Sequence, residues 1–104
     1  MYTGDCLCGG VQYEIFGELG SIQVCHCQQC RKAQGTAFAT NIPVKSENFN
    51  IIQGTELLKE FESPTTQGKF RVFCSNCGSP IISRLASLPE YVRVRAGSIN
   101  EAIP

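Results

Sequence analysis

Residues 25–30 read CHCQQC, and two similar cysteine turns occur elsewhere in the chain: CLC at residues 6–8 and CSNC at residues 74–77. An odd number of cysteines leaves one thiol over in a disulfide framework, and the CLC turn would have to join neighbouring residues to distant partners. The same spacings place two or three sulfurs on one tight turn, where they can converge on one metal ion. We therefore predict metal binding rather than disulfides for the seven cysteines: Cys6, Cys8, Cys25, Cys27, Cys30, Cys74 and Cys77.

Seven thiol ligands divide into four plus three. Four thiolates close a tetrahedral zinc site, whereas three leave one position for water or substrate. Because residues three apart on a helical turn share a face, the contiguous trio is favoured as one site. The alternative is one zinc-ribbon site, with the other three thiols buried as ordinary side chains, since free cysteine is often buried. The two groupings are Cys6, Cys8, Cys74, Cys77 against Cys25, Cys27, Cys30, and the ribbon of Cys27, Cys30, Cys74 and Cys77.

Length and charge limit the class of protein. A chain of 104 residues has room for one core, so we predict a single domain over residues 1–104. Nine basic residues balance nine acidic ones, which argues against a nucleic-acid partner. No apolar run approaches the ~20 residues of a membrane span, and the first residues lack an export signal. We therefore expect a cytoplasmic protein without a membrane partner, whose exposed strands could pair into a homodimer.

Alternating apolar and polar residues predict a mainly β domain with antiparallel sheets. Val11, Tyr13 and Ile15 alternate with Gln12 and Glu14, which is the period of a strand with one buried face. At most one short helix is expected. The further predicted strands cover residues 21–25, 37–42, 49–53, 57–62, 69–73, 80–84 and 91–96, and the helix runs from Cys27 to about Gln34, with Gly35 ending it.

Four motifs in order along the chain resemble one known family: GDCLCGGVQYE at residues 4–14, CHCQQCRKAQGTAF at 25–38, FCSNCGSPI at 73–81 and VRAGSIN at 94–100. The chain resembles the glutathione-dependent formaldehyde-activating enzymes, also called the centromere protein V/GFA domain family. The resemblance implies a β-tent zinc-binding fold and two zinc ions per chain. It also implies the partition of ligands, with Cys6, Cys8, Cys74 and Cys77 on structural zinc and Cys25, Cys27 and Cys30 on catalytic zinc.

The activity that the resemblance implies is that of a carbon-sulfur lyase, which joins a thiol such as glutathione to an aldehyde or releases it. Three thiolates make Zn²⁺ a mild Lewis acid, but a soft site of this kind accepts a further sulfur and deprotonates an incoming thiol. We therefore expect a substrate thiol at the open position of the trio, where it attacks a carbonyl held nearby. The alternative is a non-catalytic zinc module that binds a protein, because a fold does not fix a function. An iron-thiolate centre is a third possibility.

Some other residues are weaker candidates for the site. His26 is the only histidine and could act as a general base, although neighbours on a strand point to opposite faces and we expect it to face away from the metal. Arg31 and Lys32 could bind thiolates or a substrate carboxylate, or could simply lie on an exposed helix face. At strand spacing we expect four aromatic residues to belong to the core rather than to a pocket: Phe38, Phe70, Phe73 and Tyr91.

Overall fold

The computed structural model describes residues 1–103, and within them it contains nine strands, one α-helix and three short 3-10 turns. The strands are β1 (Tyr2–Asp5), β2 (Gln12–Ile15), β3 (Gln23–Cys25), β4 (Ala39–Lys45), β5 (Phe49–Gln53), β6 (Leu58–Glu62), β7 (Lys69–Cys74), β8 (Pro80–Leu85) and β9 (Tyr91–Arg95). The helix α1 spans Gln28–Gln34, and the 3-10 turns span Ser46–Asn48, Thr55–Leu57 and Ala96–Ser98.

The strands form two antiparallel sheets. The small sheet has the order β1-β2-β5, and the large sheet has the order β3-β4-β9-β8-β7-β6. The small sheet contributes Val11 and the buried face of β2, Tyr13 and Ile15, to the core. The large sheet contributes mostly alternate residues of its central strands, with the consecutive Ile81 and Ile82 both buried at an irregularity in the β7–β8 register, and the two apolar faces form one cluster. The core residues of the large sheet are Ile42, Val44, Val72, Cys74, Ile81, Ile82, Val92 and Val94.

Helix α1 is defined by the residues at its two ends. Cys27 is the N-cap and its sulfur accepts a hydrogen bond from the amide of Cys30. Gly35 ends the helix with φ of 68°, and its amide donates to the carbonyl of Arg31. The left-handed conformation at this position carries no steric penalty for glycine. A cysteine turn and a glycine stop therefore limit the helix to 7 residues directly after β3.

The predicted mainly β fold with one short helix is confirmed. Every predicted strand has a counterpart, with ends that differ by up to three residues, and the helix begins one residue after its predicted start. Strand β1 was missed, because its sequence YTGD has weak strand propensity and gains its order from pairing with β2. The core expectation is wrong for Phe38 and Tyr91, which are 44% and 39% exposed. Phe70 and Phe73 are half-buried and lie outside the core cluster, and Phe73 lines a cavity. Within residues 1–103 no helix is long and apolar enough to cross a membrane.

Candidate metal centres

The first group of cysteines, which we call the four-cysteine cluster, joins two distant parts of the chain. Cys6 and Cys8 lie in the turn after β1, Cys74 ends β7, and Cys77 lies in the turn before β8. Their four sulfurs all lie within 4.8 Å of one another. The Sγ atoms of Cys6 and Cys8 are 3.5 Å apart, and those of Cys8 and Cys74 are 3.9 Å apart. Sulfurs on a tetrahedron at ~2.3 Å from zinc are separated by about 3.8 Å, so the arrangement fits such an ion.

Hydrogen bonds and burial act in opposite directions within the four-cysteine cluster. Burial raises the pKa of Cys6 to about 11, although the amide of Val11 donates to its sulfur over 3.2 Å. The hydroxyl of Ser79, 3.2 Å from the sulfur, lowers the pKa of Cys77 to about 5. A buried thiol that resists ionisation becomes a thiolate when a cation lies against it. The cluster as a whole is therefore suited to a divalent cation.

The second group, which we call the trio, lies within six consecutive residues. Cys25 ends β3, Cys27 caps helix α1, and Cys30 lies in the first turn of the helix. Their sulfurs also lie within 4.8 Å of one another. Cys30 is buried, Cys25 is half-buried and Cys27 is exposed. Among residues 1–103, the trio offers three possible metal ligands from cysteine, histidine or carboxylate side chains. The four-cysteine cluster offers four.

The thiols of the trio differ in their tendency to ionise. The thiol and the backbone amide of Cys30 lower the pKa of Cys27 to about 7, with the amide nitrogen 3.4 Å from the Cys27 sulfur. Burial raises the pKa of Cys30 above its ordinary value, and the hydrogen bond from Arg71 opposes this rise. The exposed sulfur thus ionises most readily, and the buried one needs a cation or a guanidinium to hold its charge.

The structure brings the sulfurs of the cysteines together in two separate clusters. The zinc-ribbon pairing of Cys27 and Cys30 with Cys74 and Cys77 is wrong, because these residues belong to two separate clusters. The two clusters contain the same cysteines as the two groups that the resemblance implies, and the role of each group as a zinc site stays a prediction. The order of strands in the large sheet explains this separation. Cys74 ends β7, near one edge of the sheet, whereas Cys25 ends β3, the strand at the opposite edge.

A basic residue contacts the trio, but it is not one of those predicted. The Nη2 atom of Arg71, on β7, lies 3.9 Å from the Sγ atom of Cys30. Arg31 and Lys32 are exposed on helix α1, and within residues 1–103 neither side chain makes a hydrogen bond to a thiol. Sequence reasoning missed Arg71, because its contact depends on the order of strands in the sheet. The sequence does contain one indication of a charged sheet face, because Arg93 and Arg95 alternate with valines in β9.

His26 lies beside the trio without joining it. Its ring packs against Phe38 with centroids 5.5 Å apart, and both side chains are exposed. The three-member ligand group does not include His26. His26 lies just after β3, so its orientation away from a metal and its role as a general base both stay predictions.

A family model and a curated relative name the same family, and a solved structure shares the fold. The family model described as "Glutathione-dependent formaldehyde-activating enzyme" matches residues 1–104. A protein of Halomonas elongata named "Putative glutathione-dependent formaldehyde-activating enzyme" is 29% identical over 110 aligned residues, which cover 100% of this chain and 69% of that protein. The crystal structure of a Rhodobacter sphaeroides protein, a structural genomics target, superposes with a TM-score of 0.78 at 25% identity, over 98% of this chain and 91% of that one.

Proposed function

Because the chain belongs to the glutathione-dependent formaldehyde-activating enzyme family, we propose that it is a zinc-dependent enzyme of the carbon-sulfur lyase type. Its substrates are thiol-aldehyde adducts of the kind formed by glutathione and formaldehyde. Four of its cysteines hold a structural zinc ion in a β-tent domain, and the trio holds a catalytic one. A reducing compartment such as the cytoplasm would keep all seven thiols available as ligands.

The observation that carries this proposal is the difference in ligand number between the clusters. Four sulfurs complete a tetrahedron, whereas the trio supplies three. Catalytic zinc sites characteristically have three protein ligands and one position for an exchangeable group. Zinc held by the trio would supply a coordination site for a further sulfur and would lower the pKa of a thiol bound there.

The residues around the trio support this role. Cys27 is exposed at the end of helix α1, so a small molecule has access to the site from solvent. Cys30 is buried and lies beside the guanidinium of Arg71, which offsets negative charge on its sulfur. The amide of Cys30 donates to Cys27 and holds that sulfur in position. These contacts fix two of the three ligands on a rigid helical turn.

The test measures the rate at which glutathione and formaldehyde form and release their adduct. Exchange NMR gives this rate for zinc-loaded wild-type protein and for the Cys30→Ser variant. We expect the wild type to accelerate exchange and the variant to fall to the rate without protein. Gln28→Ala, a change at an exposed position of the same helix, is the matched control and should keep the wild-type rate. Equal rates for wild type and Cys30→Ser would reject catalysis at the trio. One zinc ion per wild-type chain would instead favour the non-catalytic module.

A further inference from the structure

A small cavity lies directly against the trio, and its walls are strongly basic. Its volume is about 250 Å³, and Cys25 and Cys30 form part of its lining. No aspartate or glutamate lines it within residues 1–103. Four cationic side chains do so: Lys69, Arg71, Arg93 and Arg95. We call this cavity the cationic pocket.

Strand register explains why the cationic side chains meet. Arg71 on β7 pairs with Ser83 on β8, and Ser83 pairs with Arg93 on β9. Residues two apart on a strand share a face, so Lys69 accompanies Arg71 and Arg95 accompanies Arg93. This face of the large sheet is the one beside the trio, because Arg71 reaches the sulfur of Cys30. The other face carries valines and isoleucines into the core.

Arg95 is the most buried of these cations. It is 5% exposed, and its guanidinium donates to the side chains of Asn41 and Ser83, which are both neutral. Burial, and then the positive charges of Arg71 and Arg93, lower its pKa to about 10. The ion pair present among residues 1–103 joins Arg84 to Glu60, and neither side chain lines this pocket. The buried charge of Arg95 is thus held by dipoles and not by an acidic side chain.

The trio alone does not balance this charge. Three thiolates on a divalent cation leave a single net negative charge, against four cationic side chains. Arg95 is buried, and a buried charge is normally paired because desolvation is costly, whereas the other three cations are half-buried. Arginine is also the side chain best suited to grip a carboxylate through two parallel hydrogen bonds.

We propose that the cationic pocket binds a carboxylate of the substrate and makes the enzyme specific for thiol adducts that carry one. This inference rests on the proposed function, since it assigns the part of the substrate that lies beside the reacting sulfur. The volume suits a carboxylate with a short carbon chain. A neighbouring cavity of about 420 Å³, which shares Arg71 and Arg95 and has Phe61 and Phe73 in its wall, gives room for the rest of a larger substrate.

The first arm of the test uses succinate, which contains no sulfur, with zinc-loaded protein and NMR detection of the arginine side chains. We expect saturable shifts of the Arg93 and Arg95 signals and an affinity at least roughly tenfold weaker in Arg93→Gln, as for loss of a charge-assisted hydrogen bond. Lys69→Gln is a second variant that weakens binding in the same direction. Arg84→Gln is the matched control, because Arg84 already pairs with Glu60, and it should bind like the wild type. Absence of saturable binding at tens of millimolar succinate would overturn the inference.

The second arm compares 3-mercaptopropionate with 2-mercaptoethanol on cobalt-substituted protein, with the sulfur-to-cobalt absorption bands as readout. We expect the carboxylate-bearing thiol to perturb the bands at a concentration at least about tenfold lower, and this preference to disappear in Arg93→Gln. If the two thiols perturb the bands at equal concentrations, the inference is overturned and the proposed function still stands. If neither thiol perturbs the bands, the proposed function fails, and the succinate arm alone decides whether the pocket binds carboxylates.

Discussion

The four-cysteine cluster and the trio use the same ligand type in opposite structural settings. Cys8 and Cys74 are separated by 66 positions, and Cys6 and Cys74 belong to the hydrophobic core. The trio spans one edge strand and one turn of a short helix, with Cys30 as its buried member. An ion in the first cluster therefore ties distant segments together, whereas an ion in the second rests on local structure. On the proposed function, chain separation and burial, and not the identity of the ligand, would divide a folding role from a chemical one.

The strongest test of this contrast is Cys74→Ser in the four-cysteine cluster. Structural zinc contributes apparent binding free energies of about 10–16 kcal/mol, which matches or exceeds the net stability of about 5–15 kcal/mol of a small domain. We expect loss of the cooperative thermal transition, measured by circular dichroism, together with loss of bound zinc. Ser75→Ala, at the adjacent exposed position, should melt like the wild type. A Cys74→Ser protein that melts cooperatively at the wild-type temperature would contradict a folding role for this cluster.

The corresponding change in the trio is Cys27→Ser, and we expect a much smaller effect on stability. Cys27 is exposed and its sulfur caps a helix of 7 residues. Serine is itself a favoured N-cap whose hydroxyl can accept the same amide hydrogen bond, so the helix should lose less than about 1 kcal/mol. The melting temperature should fall by less than about 8 °C, and metal analysis should show one zinc ion fewer per chain. Loss of both ions together with cooperative melting would remove the distinction between the two clusters.

The two thiols of the helical turn provide a subtler comparison within the trio. The pKa of Cys27 is lowered to about 7, and that of Cys30 is raised by burial. Since the thiolate is the reactive form and predominates above the pKa, alkylation of Cys27 by iodoacetamide should rise with a midpoint near pH 7 once the trio is stripped of metal. Cys30 should react only at higher pH. Mass spectrometry of labelled peptides measures both rates, and Cys30→Ala should move the Cys27 midpoint upward. Coinciding midpoints in the wild type would contradict this asymmetry.

The smallest effect is expected at the exposed ion pair of Glu60 and Arg84, which belongs to neither cluster. Their side-chain atoms lie 2.7 Å apart, but the side chains are 42% and 37% exposed, so Glu60→Gln should cost less than about 1 kcal/mol at pH 7. Arg84 lowers the pKa of Glu60, so the stabilisation is present above the unfolded pKa of about 4.3 and is lost as pH falls through the folded value. Urea unfolding of both proteins with excess zinc measures the difference, which should shrink below about pH 4. A difference that grows on acidification would contradict this assignment.

Local patterns in the sequence predict much of the fold, because they depend on neighbouring residues. The alternation along β2 and the cap and stop of helix α1 are of this kind. Strand β1 could not be predicted in this way: Gly4 packs under the ring of Tyr13, where a Cβ atom would lie within 2.1 Å of the ring, so the segment is ordered by a partner remote in sequence. The contact of Arg71 with Cys30 depends on the same kind of long-range register.

The cysteine spacing predicts metal ligands but leaves their grouping open, since the chain could in principle bring any two turns together. The order of strands in the large sheet decides the grouping. Phe38 and Tyr91 show the limit of the alternation rule. Phe38 lies between helix α1 and β4, and Tyr91 is the first residue of β9, so both positions are at the margin of the core, where alternation no longer implies burial.

The long separation between the two halves of the four-cysteine cluster also has a consequence during synthesis on the ribosome. The first 30 residues contain five of the seven cysteines, while Cys74 and Cys77 are translated much later. A nascent chain therefore exposes Cys6 and Cys8 together with the complete trio, and any metal ion captured at that stage has a choice of wrong ligand sets. If both clusters hold zinc as proposed, correct maturation would require that such early captures exchange until the last two thiols arrive, because metal binding and folding of these segments are coupled.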